Sequence, residues 1–333
     1  MADKTCLVLT SISGPNRAMK ELASGCIEKG YRFIVIGDKA GPENFELEGC
    51  DFYSLKRQLE TSSFAHSCPV GHYARKNTGY LLAMAGGASV IIETDDDNLP
   101  YPGFWSNHRM KKQAVLCENA GWMNVYCYFT DSNIWPRGFP LEFLKQRPRE
   151  YELLRPATLK CPIQQYLADD NPDVDAVYRL LFHLPEKFRK DRQVAAGKGT
   201  FCPFNSQNTV WFRPAYKLMY LPGYCSFRMT DIWRSFVAQR IAHENNWPVF
   251  FGPPTMYQQR NEHNLLKDFQ DEIPGYLNNN RIYEQLQMLD LKSGDEYIDD
   301  NLRLCYERLV DMRLVDKQEL KLLDEWISEC NQR

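Results

Sequence analysis

Short apolar runs, each broken by glycine or by acids at its carboxyl end, constrain this chain more than anything else in it. Residues 5–11, Thr-Cys-Leu-Val-Leu-Thr-Ser, read as a buried strand that enters a turn near Gly14-Pro15. Residues 16–29 carry Met19, Leu22, Ala23 and Cys26 at helical spacing, Gly30 interrupts, and Tyr31 to Ile36 supplies a second strand ending at Gly37-Asp38-Lys39. Strand, helix, strand implies a right-handed parallel crossover. A second unit repeats the pattern: 73–85 is helical, Gly86-Gly87 stops it, and Ala88 to Ile92 is a strand. The expected fold is therefore α/β, with ligands met outside the carboxyl ends of the strands.

At that end of the third strand stand Glu93-Thr94-Asp95-Asp96-Asp97-Asn98. Because strand side chains alternate, Asp95 and Asp97 can face one site. Crowded carboxylates stay ionised only beside a cation, and Mg²⁺ or Mn²⁺ completed by substrate phosphates meets that need. A solvated acidic turn or a helix cap is the plainer reading, and the apolar strand before the acids favours the metal. Upstream, Arg75 and Lys76 open the helix that leads to this strand, where free N–H groups favour a diphosphate, although both can be ordinary solvated first-turn residues.

Further along, 122–130 reads as a strand, 134–162 as an extended surface segment, and 171–184 as a Pro-started helix capped by Asp169-Asp170-Asn171. Residues 208–213 and 247–251 read as strands, 230–245 as an amphipathic helix with Thr230 as its cap, and 281–329 as helices beyond Pro274. Asp231, in the first turn, is either a residue stabilised by the helix dipole or a general base for an acceptor hydroxyl. Asn205 and Gln207 offer uncharged groups for sugar hydroxyls. Gln259 to Asn264, after a Pro-Pro turn, forms a polar knot in which Arg260 can bind a ligand and His263 a metal or diphosphate. The partition read from these segments is 1–130, a nucleotide-binding half, 131–272, an acceptor half, and 273–333, a helical C-terminal extension.

Composition excludes more than it selects. With 40 basic and 43 acidic residues, the net charge of −3 gives no general attraction to nucleic acid or an anionic membrane. The eleven cysteines show no CxxC pair and several sit in apolar runs, so they read as reduced, buried thiols. No apolar stretch reaches the length of a membrane span, and the expected location is cytoplasmic.

Eight segments in order resemble a known group. They include Val35-Ile-Gly-Asp-Lys39, Tyr73-Ala-Arg-Lys-Asn-Thr-Gly-Tyr80, Thr94-Asp-Asp-Asp-Asn98 and Trp135-Pro-Arg-Gly-Phe-Pro140. Ala168-Asp-Asp-Asn-Pro-Asp-Val-Asp-Ala176, Pro203-Phe-Asn-Ser-Gln-Asn208, Ser226 to Ser235 and Gln259 to Asn264 continue the series. The chain is similar to STELLO-type glycosyltransferase-like proteins and, more distantly, to the reversibly glycosylated polypeptide or UDP-arabinopyranose mutase family. The resemblance implies a GT-A fold, a Rossmann-like half with a mostly parallel central sheet. It implies that Asp95 to Asp97 bind Mn²⁺ or Mg²⁺ and a nucleotide-sugar, UDP by analogy, with Asp38, Arg75, Lys76, Asn77, Asn205, Gln207 and Arg260 as further donor-binding candidates. It also raises Asp231 as the catalytic base of an inverting transfer onto a glycan or other hydroxyl acceptor. The plant STELLO proteins are membrane-anchored, and their location and partners are not carried over. The alternatives are a nucleotide-sugar mutase, which needs no acceptor, and a non-catalytic scaffold, which has no reason to tolerate so many close acids.

Overall fold

The computed structural model describes residues 4–42, 44–106, 108–260 and 264–333. Its first third follows the apolar runs. β1 (Thr5–Thr10) leads to α1 (Arg17–Lys29), which Asn16 caps by accepting from Met19 N at 2.9 Å and which Gly30 ends in the left-handed region at φ 67. β2 (Arg32–Ile36) and β3 (Asp51–Tyr53) follow. Then come α2 (Leu55–Thr61), α3 (Phe64–Ser67), a 3-10 turn at Tyr73–Arg75, α4 (Lys76–Ala85) and β4 (Val90–Thr94). The order β3-β2-β1-β4 is parallel throughout.

The middle of the chain extends the same sheet. It supplies β5 (Asn98–Pro100), β6 (Lys111–Cys117), β7 (Gly121–Trp122), β8 (Pro156–Lys160), β9 (Ile163–Asp169), α5 (Ala176–Leu181), β10 (Val194–Ala196), β11 (Thr200–Phe201) and β12 (Asn208–Phe212). α6 (Thr230–Glu244) and β13 (Val249–Gln258) precede α7 (Leu265–Gln287), α8 (Ile298–Asp311) and α9 (Gln318–Asn331). The sheet runs β3-β2-β1-β4-β12-β9-β13-β10-β6-β8, with β5 on β13, while β7 and β11 pair separately. Most strands point the same way, with β5, β6, β10 and β12 reversed. The antiparallel pair β4 and β12 matches Thr94 to Asn208, so the start of β12 lies beside the acids that follow β4. β13 ends there too, with Gln258 opposite Asn98 and Gln259 N donating to Asp97 O at 2.9 Å.

Several expected elements differ. In 122–130 the two-residue β7 gives way to a 3-10 turn at Val125–Tyr128, because the Asn124 side chain accepts from Tyr126 N and donates to Ile134 O, replacing a strand ladder. Residues 134–140 are not a surface segment: Ile134, Trp135 and Phe139 are buried, and Trp135 Nε1 donates to Asp175 at 2.7 Å. Asp169 ends β9, and the helix begins only at Ala176 with Asp175 as its cap. Thr230 is helical rather than a cap, since a 3-10 turn at Phe227–Met229 runs into α6. α6 is not amphipathic; Thr230 to His243 are buried all round between the sheet and α7 and α8. Pro253-Pro254 lie inside β13, at its bulge, rather than in a turn, and α7 runs through Pro274.

All eleven cysteines are free thiols. The larger of two hydrophobic cores collects side chains from the amino-terminal strands, the middle segment and the carboxyl-terminal helices, from Cys6 to Trp326, and the second packs α1 on the sheet through Met19, Leu22, Leu7 and Phe33. No helix among the described residues is long and apolar enough to cross a membrane.

Candidate functional site

A cavity of about 500 Å³ opens at the carboxyl ends of β1, β2 and β4. One end is bounded by the β1 and β2 tips, including Ile12, Ile36 and Asp38, the middle by Asp95, Asp96 and Asp97, and the far side by Arg137, Asp173, Arg228, Asp231 and Arg260.

Each of the three acids has its own support. Asp95 Oδ1 accepts from Tyr73 Oη at 2.6 Å and from the wholly buried Lys76 Nζ at 3.2 Å. Asp96 is held by the Ser11 hydroxyl. Asp97 takes Gln258 Nε2 on both oxygens at 3.0 Å. Burial first, then the charge of Asp95, pushes the Asp97 carboxyl up to about 6, and burial raises Asp96 as well. Among the described residues no three His, Cys, Asp or Glu side chains converge to hold an ion alone. A hard divalent cation held by one or two carboxylates and completed by phosphate oxygens needs no such set, and an under-compensated group of acids suits one. The donor set therefore fits Mg²⁺ or Mn²⁺ in that form.

Asp231 stands in the far wall. Its hydrogen bonds all reach Oδ2, from Arg137 Nη2 at 2.9 Å and from Ser206 at 3.3 Å, which leaves Oδ1 toward the cavity. Burial opposes ionisation, but the Arg137 guanidinium, helped by Arg234, more than offsets it and holds the carboxyl below its usual range. Arg137 is itself fixed by Asp173, with Nε to Oδ1 at 2.8 Å and Nη2 to Oδ2 at 2.9 Å. Gly138, at φ 88, lets this loop press on α6: a Cβ there would lie 2.3 Å from Ile232 Cγ2. Tyr73 Oη also lies 2.6 Å from Ser206 Oγ; with the Tyr73 hydroxyl donating to Asp95, the Ser206 hydroxyl donates to Tyr73, and Ser206 meets Asp231 through its backbone N–H at 3.3 Å.

The residues expected at the site divide into wall and frame. Asp38, Asp95, Asp96, Asp97, Gln207, Asp231 and Arg260 line the cavity. Asp38 also fastens the 71–72 loop, accepting from Gly71 N at 2.9 Å and His72 N at 3.0 Å. Arg75 borders the cavity, while its guanidinium binds Gln58 Oε1 at 2.6 and 3.0 Å and the Ala65 and Cys68 carbonyls at 2.7 and 3.0 Å. Lys76 is not a solvated residue but lies beneath the acids, with Nζ also 2.6 Å from Thr94 O. Asn77 bridges both backbone atoms of Leu221 at 2.8 and 2.9 Å. Asn205 is buried behind the wall, donating to Asp173 at 2.9 Å. His263 lies outside the described residues.

Sequence reasoning missed Tyr73, Arg137, Asp173, Ser206, Phe227, Arg228 and Gln258. Most belong to the quoted segments, which pointed to the right stretches but not to the right members. Gln258 stood one residue before its segment, and Arg228 meets Glu272 through Nε at 3.0 Å and Nη2 at 2.7 Å while lining the cavity.

A twisted α/β sheet with this acid-floored cavity at its strand ends is a fold of the glycosyltransferase type. Residues 228–332 match the family model of STELLO glycosyltransferases. The chain is similar to two proteins of Arabidopsis thaliana, Probable glycosyltransferase STELLO2, 28% identical over 300 residues (84% of this chain, 39% of the relative), and Probable glycosyltransferase STELLO1, 28% identical over 272 residues (76% and 35%). The resemblance carried by the motifs is thus shown, and the chain spans less than two fifths of the length of either relative.

Proposed function

We propose that this chain is a metal-dependent glycosyltransferase that moves a sugar from a nucleoside diphosphate, UDP by analogy, to a hydroxyl acceptor with inversion. The observation that carries the reading is one cavity with an under-compensated acid group on its floor and an ionised carboxylate, Asp231, offering a single open oxygen in its wall. Asp95 and Asp97 would hold Mn²⁺ or Mg²⁺, which supplies charge neutralisation to the diphosphate. Arg228 and Arg260 line the same cavity and offset the charge that develops on the leaving group. The acceptor oxygen bonds C1 as the bond from C1 to the diphosphate oxygen breaks, that electron pair leaves with the nucleoside diphosphate, and the acceptor proton passes to Asp231 Oδ1. Arg137 makes Asp231 a weak base, which suffices when the hydroxyl grows strongly acidic as its oxygen bonds an electron-poor C1.

Calorimetric titration with UDP, GDP and dTDP, with and without Mn²⁺, tests the donor half of this reading. One nucleotide is expected to bind only with the metal, and an Asp95→Ala/Asp97→Ala variant to lose it. No binding of any nucleotide would leave a scaffold of the same shape.

A further inference from the structure

Phe227 stands apart from the rest of the cavity wall. It is a large aromatic side chain, 51% exposed, in a lining where charged and amide groups stand beside Ile12, Ile36 and Tyr73. Its ring is not loose: it meets His72 edge to face at 5.5 Å between centroids and Tyr73 at 6.3 Å. The exposed ring is therefore held in place by the same loop that Asp38 fastens.

Position in the chain says what the ring is for. Phe227 opens the 3-10 turn that continues into α6, Asp231 follows in the first turn of that helix, and both line the same cavity. In the proposed reaction the donor lies over Asp95 to Asp97, whereas the acceptor arrives from solvent and brings a hydroxyl to Asp231 Oδ1. The rim is where an exposed ring can meet it.

We infer that Phe227 is the acceptor platform: the acceptor is a glycan whose pyranose ring lays its C–H face on Phe227 and directs a hydroxyl to Asp231. This rests on the glycosyl-transfer reading above. The electron-rich face of an aromatic ring attracts the weakly positive C–H groups of a sugar with equatorial hydroxyls, and the contact removes apolar area on both partners from water. A small alcohol or a serine side chain has no such face. The rings that meet Phe227, those of His72 and Tyr73, are not among the groups assigned to the diphosphate, so its removal separates acceptor from donor.

The test is a titration of the whole chain with cello-, manno- and chitotetraose, with and without UDP and Mn²⁺, followed by calorimetry and saturation-transfer NMR. At least one tetrasaccharide is expected to bind, its ring C–H protons receiving saturation. Phe227→Ala should weaken that binding roughly tenfold, the loss of one stacking contact, and Phe227→Tyr should restore it, while UDP affinity stays the same in both. Unchanged tetrasaccharide affinity in Phe227→Ala, or no binding of any of the three, would overturn the platform. A fall in UDP affinity instead would assign the ring to the nucleobase and overturn it as well. If no nucleotide binds the unaltered protein, the donor reading falls, and the tetrasaccharide titration still decides the platform.

Discussion

Asp231 illustrates how much of a residue's chemistry its neighbours decide. As a residue in the first turn of a helix it carries no more than an affinity for the helix dipole. Packed against Arg137 and Ser206 it becomes a carboxylate that stays charged below the usual carboxyl range. Asp231→Asn keeps the shape and removes the proton acceptor, so turnover should fall by roughly 10²–10⁴ while donor affinity holds; a parallel loss of donor affinity in calorimetry would make Asp231 a donor ligand. The pH profiles should separate in the same way. Metal-dependent nucleotide affinity should weaken as pH falls through about 6, where Asp97 takes up a proton and ceases to be a ligand. The acid limb of turnover set by Asp231 should lie far lower.

Among elements, α4 shows what residue type cannot reveal. Arg75, Lys76 and Asn77 open this helix, and three polar residues in a first turn look like a ligand-facing end. All three are buried, because α4 packs on β1 and β2 and its first turn meets α2, α3 and the Leu221 segment. Arg75 ties two of those segments to it. Arg75→Met should leave two buried carbonyls and Gln58 Oε1 without the arginine and destabilise the chain by about 3 kcal/mol, read as a lowered denaturation midpoint. Nucleotide affinity of the folded fraction should not change; a selective loss of affinity at full stability would return Arg75 to the ligand. The β9 strand was missed for a related reason: Gln164 and Gln165 interrupt its apolar pattern, yet both are buried with their amides bonded to backbone carbonyls.

On the scale of the whole molecule, the carboxyl-terminal helices are part of the core. Trp326 is fully buried, Glu329 accepts from Ser62, Ser63 and the Phe64 N–H at 2.7–2.9 Å, and Glu319 takes Gly223 N at 3.0 Å, Tyr224 N at 2.7 Å and the Tyr220 hydroxyl. Burial pushes the Glu319 carboxyl up to about 7 and that of Asp175 to about 7. Both groups bind protons more tightly folded than unfolded, so their contribution is full below the unfolded carboxyl range and is lost as pH rises through about 7. Thermal stability should therefore decline from pH 5 to pH 8, and Glu319→Gln should flatten that slope; a stability that rises over this interval in both proteins would show the acid to be ionised at no cost.

The alternation of apolar runs with helical spacing determined the parallel amino-terminal half, since a strand that must be buried on both faces announces itself in composition. It also placed Asp95 to Asp97 at a strand end and Asp231 at a helix start, because local polarity after an apolar run survives any packing. Only the tertiary structure decided that Lys76 and Asn77 serve the frame, that Arg137 and Ser206 reach the site, and that β12 and β13 end beside β4. Those facts depend on contacts between residues far apart in the chain, and a side chain's direction in a buried element is set by what packs against it rather than by its own identity.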